Sequence, residues 1–80
     1  MYERRHRPRR IAPKLKAIRQ HLGVSQTGLK RLINFKGNYG HISAFELGNR
    51  QPNLLTLLAY ARAAKVPLEQ IVDDELELTI

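Results

Sequence analysis

Apolar residues recur along most of this chain at helical spacing, and short polar breaks divide the pattern into five segments. Leu15, Ile18 and Leu22 fall on one stripe among Lys14, Lys16, Arg19 and Gln20, the three-and-four spacing that buries one side of a helix. This segment is expected to open at Pro13, because a proline in the first turn sacrifices no hydrogen bond, and to stop at Gly23. After Val24, Ser25 is a good N-cap. A second helix from Gln26 would then turn Leu29, Leu32 and Ile33 inward and Lys30 and Arg31 outward. Asn34 to Asn38 is turn chemistry around a single aromatic, Phe35. A third helix is predicted from Tyr39 to Leu47, capped by Asn38 and ended by Gly48, with Ile42 and Phe45 on its apolar side. Pro52 and a second cap residue, Asn53, introduce the most apolar segment. There Leu54, Leu57, Leu58, Ala61 and Ala64 share a broad face, with Leu55, Tyr60 and Arg62 to its side. Lys65 closes it, and Val66-Pro67 leads into a last short helix with Leu68, Ile71 and Val72. From Asp73 the period changes to two: Leu76, Leu78 and Ile80 alternate with Glu75, Glu77 and Thr79, which predicts a strand in need of a partner.

The pattern describes a single all-α domain of five short helices over residues 13–73. A flexible basic arm, residues 1–12, precedes it, and a short acidic and apolar tail, residues 74–80, follows. At 80 residues with no cysteine, the core must rest on packed aliphatic side chains alone, without disulfide or thiolate metal site.

Charge adds the first functional information. The net charge is +7, and it is unevenly placed. Arg4, Arg5, Arg7, Arg9, Arg10, Lys14, Lys16 and Arg19 face only Glu3 in the first nineteen residues, whereas Glu69, Asp73, Asp74, Glu75 and Glu77 crowd the end. A basic end of this kind suits a polyanion, and nucleic acid comes first. A membrane surface fits less well, because the arm has no aromatic or leucine face to insert. No apolar run approaches the ~20 residues that span a bilayer, and no apolar stretch follows the basic N-terminus as in a signal peptide. A soluble cytoplasmic protein is therefore expected. His6, His21 and His41 stand singly, without metal-ligand spacing. No convergent acid, base or nucleophile is evident, so neither enzyme activity, metal nor cofactor is expected.

The order of elements from Leu15 to Val72 resembles the Cro and phage-repressor type helix-turn-helix domain of bacterial and phage regulators. Leu22-Gly-Val-Ser-Gln26 is similar to that family's entry into its second helix. Ile42-Ser-Ala-Phe-Glu-Leu-Gly48 is similar to the end of its recognition helix. Asn49-Arg-Gln-Pro-Asn-Leu-Leu-Thr-Leu-Leu58 and Val66-Pro-Leu-Glu-Gln-Ile-Val72 are similar to its later loop and helices. The resemblance implies a compact five-helix, lambda-repressor-like fold that places helix 39–47 in the major groove. It implies base reading by Tyr39, Gly40, Ser43 and Ala44, with Ser43 bonding a base edge and Ala44 packing on a thymine methyl. Gln26, Lys36, Asn38, His41, Asn49, Arg50 and Gln51 would meet phosphates. Arg19 and Glu46 would form a partly buried ion pair between the first and third helices. The arm, with Arg4, Arg5, Arg7, Arg9 and Arg10, is a further DNA contact by the general tendency of such segments.

Departures from the family pattern bear on readout. Lys30 stands where a small residue is usual and Asn34 where a glycine is usual. The chain between Gln26 and Glu46 runs about two residues long, an insertion assigned to Asn34 to Asn38 with Phe35 folded inward as a plug. Gly40 offers no side chain and costs a helix ~1 kcal/mol relative to alanine. The reading that results is a sequence-specific double-stranded DNA-binding regulator, a repressor, acting as a homodimer on a palindromic operator. The C-terminal tail or fifth helix would be its interface. The alternative is a protein-binding module of the same fold, such as an antitoxin or a partner-controlled regulator, acting through the tail and the exposed Leu55.

Overall fold

The computed structural model describes residues 8–80; Arg4, Arg5 and Arg7 lie outside the described residues. Five helices follow in order: α1 (Ile11–Leu22), α2 (Gln26–Leu32), α3 (Tyr39–Leu47), α4 (Leu54–Ala64) and α5 (Glu69–Val72). Helix α1 is central to the packing and meets α3, α4 and α5, while α2 packs on α3. Leu15 and Ile18 of α1, Leu29 of α2, Ile42 and Phe45 of α3, Leu57, Tyr60 and Ala61 of α4 and Ile71 of α5 form one buried cluster.

Local chemistry sets most boundaries. Gly23 and Gly48 take left-handed conformations at the ends of α1 and α3, which a residue without Cβ adopts at little cost. The side chains of Ser25, Asn38 and Asn53 each accept a hydrogen bond from the first turn of the helix they precede. Asn34 holds φ 55 between α2 and α3, the conformation asparagine tolerates best among residues with a side chain.

Four expectations need correction. Helix α1 begins at Ile11 rather than Pro13, so Pro13 sits third in the first turn, where a missing N–H still breaks no helical bond. Ile11 is drawn into the core, and the N–H groups of Arg9 and Arg10 are received by Asp74 at 2.8 and 3.0 Å. Leu32 is 54% exposed and Leu54 63% exposed; Leu32 is the last residue of α2 and Leu54 the first of α4. Tyr60, placed at the side of α4, is instead wholly buried. Its hydroxyl has no hydrogen-bond partner among the described residues, and burial pushes the phenol well above its ordinary pKa.

The tail forms no strand among the described residues. Its polar backbone groups find side-chain partners instead. Gln70 Oε1 accepts from both the N–H and the hydroxyl of Thr79 at 3.0 Å. Lys14 Nζ donates to the carbonyls of Asp73 and Leu76, each at 2.9 Å, while Leu78 packs on the core. Lys14 is therefore buried, not one of the solvated residues flanking the α1 stripe, and burial first, then the neighbouring Arg10, lowers its pKa. The exchange is reciprocal: Asp74 caps the start of α1, and Lys14 caps the end of α5, each with the charge that its helix end favours.

Candidate nucleic-acid interface

Helix α3 has an inner and an outer side. Ile42 and Phe45 point into the core, and Glu46 is drawn toward α1. Gly40, Ser43, Ala44 and Leu47 share the opposite stripe by helical spacing; Gly40 and Leu47 are exposed, Ser43 and Ala44 half-buried. The side chain of Tyr39 lies outside what the structure describes. Leu47, the last residue of the helix, is 69% exposed. Its spacing of seven from Gly40 and three from Ala44 places it with the outward residues, and that signal was present in the sequence.

The orientation of α3 is fixed by the expected ion pair. Arg19 Nε lies 2.7 Å from Glu46 Oε2 and the second guanidinium nitrogen 3.1 Å from Oε1. A third nitrogen donates to the carbonyl of Val24 at 3.1 Å. The Glu46 side chain retains only 4% of its accessible surface. The hydrogen bond to Glu46 holds the Arg19 guanidinium above its ordinary pKa. Gln26 joins from the first position of α2, its amide nitrogen donating to Glu46 Oε1 at 3.3 Å. Side chains from α1, α2 and α3 thus meet on one carboxylate. Gln26 was expected at a phosphate; one of its amide hydrogens is spent here, on the orientation of α3.

The insertion before α3 is packed, with Phe35 as its plug. The Phe35 ring meets His41 edge-on at 5.9 Å and Phe45 at 5.6 Å. Gly37 makes that approach geometrically feasible: a Cβ there would stand 2.5 Å from the Phe35 ring and 2.6 Å from His41 Nδ1. His41, expected at a phosphate, is therefore half-buried against the two phenylalanine rings. Lys36 and Asn38 are exposed beside it, with the Asn38 side-chain Oδ1 accepting the Gly40 N–H as the helix cap.

Beyond α3, the N–H groups of Asn49 and Arg50 both donate to the Ala44 carbonyl, at 3.0 and 3.3 Å. This fixes the loop backbone while the side chains of Asn49, Arg50 and Gln51 stay exposed. Among the described residues, every acid except Glu46 belongs to α5 or the segment after it. The outer side of α3 and the loop after it therefore present cations and neutral groups with no uncompensated carboxylate. Of the arm arginines described, Arg9 is exposed, whereas Arg10 is turned to the C-terminal segment, bonding Glu77 at 2.7 Å and the Asp74 carbonyl. Neither Asp74 nor Lys14 carried a motif that would have disclosed its partners, the N–H groups of Arg9 and Arg10 for the one and the carbonyls of Asp73 and Leu76 for the other, because both sets depend on the N-terminal and C-terminal segments meeting. No group of three or more histidines or acids among the described residues could hold a metal ion, and no described helix is long and apolar enough to cross a membrane.

No curated protein matches this sequence significantly. Among solved structures, the P22 c2 repressor in complex with a synthetic operator is similar in fold. It has a TM-score of 0.71 and 21% identity, over 84% of this chain and 98% of that one. The helix-turn-helix family profile matches residues 15–71, which takes in α3, its Arg19–Glu46 anchor and the loop of Arg50. The chain belongs to the helix-turn-helix family of the Cro and phage-repressor type.

Proposed function

We propose that this protein is a double-stranded DNA-binding transcriptional regulator, a repressor, that lays the outer side of α3 in the major groove as a homodimer on a palindromic operator. The observation that carries the reading is the electrostatic character of that side. The one carboxylate of α3, Glu46, is turned away from that side and buried against Arg19, while Lys36 before the helix and Arg50 after it are exposed. A duplex gathers most of its affinity from phosphate neutralisation, and a face free of net acid meets that requirement.

Phosphate contact falls to Arg50, Asn49 and Gln51 in the loop after α3, to Lys36 and Asn38 before it, and to the arm. Sequence reading falls to Ser43 and Ala44, with Tyr39 at the start of the helix. Leu47 joins them as an apolar group for a thymine methyl, the contact apolar side chains make in the major groove. Gly40 lets the backbone approach the bases closely. His41 is assigned to shaping the insertion rather than to a phosphate, because its ring is packed against those of Phe35 and Phe45. A single nine-residue helix reads few base pairs, so pairing of two copies on half-sites ~34 Å apart supplies the remaining specificity. No step of this function calls for catalysis or a cofactor.

Selection of bound duplexes from a random library tests the proposal. Enrichment of a two-fold symmetric site with half-sites about one helical turn apart is expected. Recovery of no consensus from a protein that binds only a polypeptide partner would favour the protein-binding alternative.

A further inference from the structure

Arg9 and Arg10 are neighbours in sequence, yet the fold uses them differently. Arg10 is consumed by the C-terminal segment, through Glu77 and the carbonyl of Asp74. The Arg9 guanidinium makes no ion pair among the described residues, and its side chain is exposed. Arg9 lines a cleft of about 300 Å³ together with Asn49, Arg50, Gln51 and the buried Ile11 and Phe45, and it also borders a second cleft with Glu69, Asp73, Asp74 and Glu75. Two arginines far apart in sequence, Arg9 and Arg50, thus line one open space beside α3. What holds Arg9 there is its backbone: its N–H donates to Asp74 at 2.8 Å, and the N–H of Arg10 to the other oxygen of the same carboxylate at 3.0 Å.

We infer that Asp74 is a positioning residue for DNA binding, fixing the root of the arm so that Arg9 and Arg50 grip one backbone phosphate together. The inference rests on the DNA-binding reading above and adds to it a residue of the wrong charge to touch DNA. Its sign is what distinguishes it. By long-range electrostatics alone, removing an acid from a DNA-binding protein should tighten the complex. Here removal of Asp74 should loosen it. An amide at position 74 keeps one acceptor but turns the other oxygen into a donor facing an N–H. The arm root is then released, and the ordering that pre-places Arg9 is lost.

The test is duplex binding by the full chain across a salt series for the wild type, Asp74→Asn, Glu77→Gln, Arg9→Ala and the Asp74→Asn/Arg9→Ala double variant. Asp74→Asn is expected to weaken binding about three- to tenfold at low salt and to shallow the salt slope by about one, the signature of one lost phosphate contact. Glu77→Gln makes the same change in charge without touching the Arg9 anchor, and should bind as the wild type does or more tightly. In the Arg9→Ala background the effect of Asp74→Asn should vanish. Asp74→Glu is the second variant, chosen to keep the fold: it retains charge and acceptors, shifts them by one methylene, and should also bind more weakly. The inference is overturned if Asp74→Asn and Asp74→Glu bind as tightly as the wild type or more so, or if the loss is the same with and without Arg9. A wild type that fails to bind any duplex at low salt overturns the DNA-binding reading itself, and this inference with it.

Discussion

Lys14 shows how one residue changes meaning once the chain folds. On the helical pattern it is a solvated cation beside an apolar stripe; in the structure it is buried, with its ammonium bonded to the carbonyl of Asp73, just after α5, and to that of Leu76 in the tail. Partly buried carbonyls left without their donor bear part of the desolvation penalty, and removing the side chain also opens its buried site. Lys14→Ala should therefore lower stability by about 1–3 kcal/mol, or roughly 4–8 °C in Tm for each kcal/mol in a domain of this size. Thermal unfolding checks it, and a change below 0.5 kcal/mol would show that water replaces the ammonium freely. Tyr60 is the opposite case, a buried hydroxyl with no partner among the described residues. Tyr60→Phe should leave Tm unchanged or raise it, since an unpaired buried hydroxyl is a cost that phenylalanine avoids. A clear fall in Tm would reveal a hydrogen bond to that hydroxyl.

At the scale of elements, the three helices that meet at Glu46 decide whether α3 can present its outer side. Removing one partner of a buried ion pair strands the other, at a cost of about 3–5 kcal/mol. Glu46→Ala should show a loss of that order in chemical denaturation, together with weakened duplex binding. Replacing Arg19 and Glu46 together by apolar residues of similar volume should recover much of the stability. If Glu46→Ala is as stable as the wild type, the pair does not orient α3. The ends of these helices were legible in the sequence because capping is local chemistry: Ser25, Asn38 and Asn53 before the helices, Gly23 and Gly48 after. The Arg19–Glu46 pair came through resemblance to a family, not through spacing. The shape of the insertion was only half legible. Phe35 reads as a plug, but that His41 joins it, and that Gly37 must stay bare to admit both rings, depends on three-dimensional closeness.

Across the whole molecule, the least legible feature is the meeting of the two ends. An alternating tail reads as a strand, because period two is all that a sequence shows of an extended segment. Side chains from α1 and α5 take up its polar groups instead. The same meeting makes stability sensitive to acid. The N–H groups of Arg9 and Arg10 hold the Asp74 carboxyl below its ordinary pKa, and the Arg10 guanidinium does the same for Glu77. A carboxyl depressed in the folded state contributes stability in full above its unfolded pKa of about 4, and that contribution is lost as pH falls through the lowered folded value. Thermal melts from pH 5 downward should show a steeper loss of Tm for the wild type than for Asp74→Asn. Parallel curves would mean that the carboxylate contributes nothing.

The central claim is that the outer side of α3 and the loop of Asn49, Arg50 and Gln51 form a surface for duplex DNA. The most direct measurement is the salt dependence of duplex binding by the wild type and Arg50→Ala. The wild type should lose affinity with a log–log slope of about −3 or steeper, on ~0.9 per phosphate neutralised, and Arg50→Ala should be shallower by about one, equally on operator and random sequence. A flat salt response, or an Arg50→Ala slope identical to that of the wild type, would contradict the assignment.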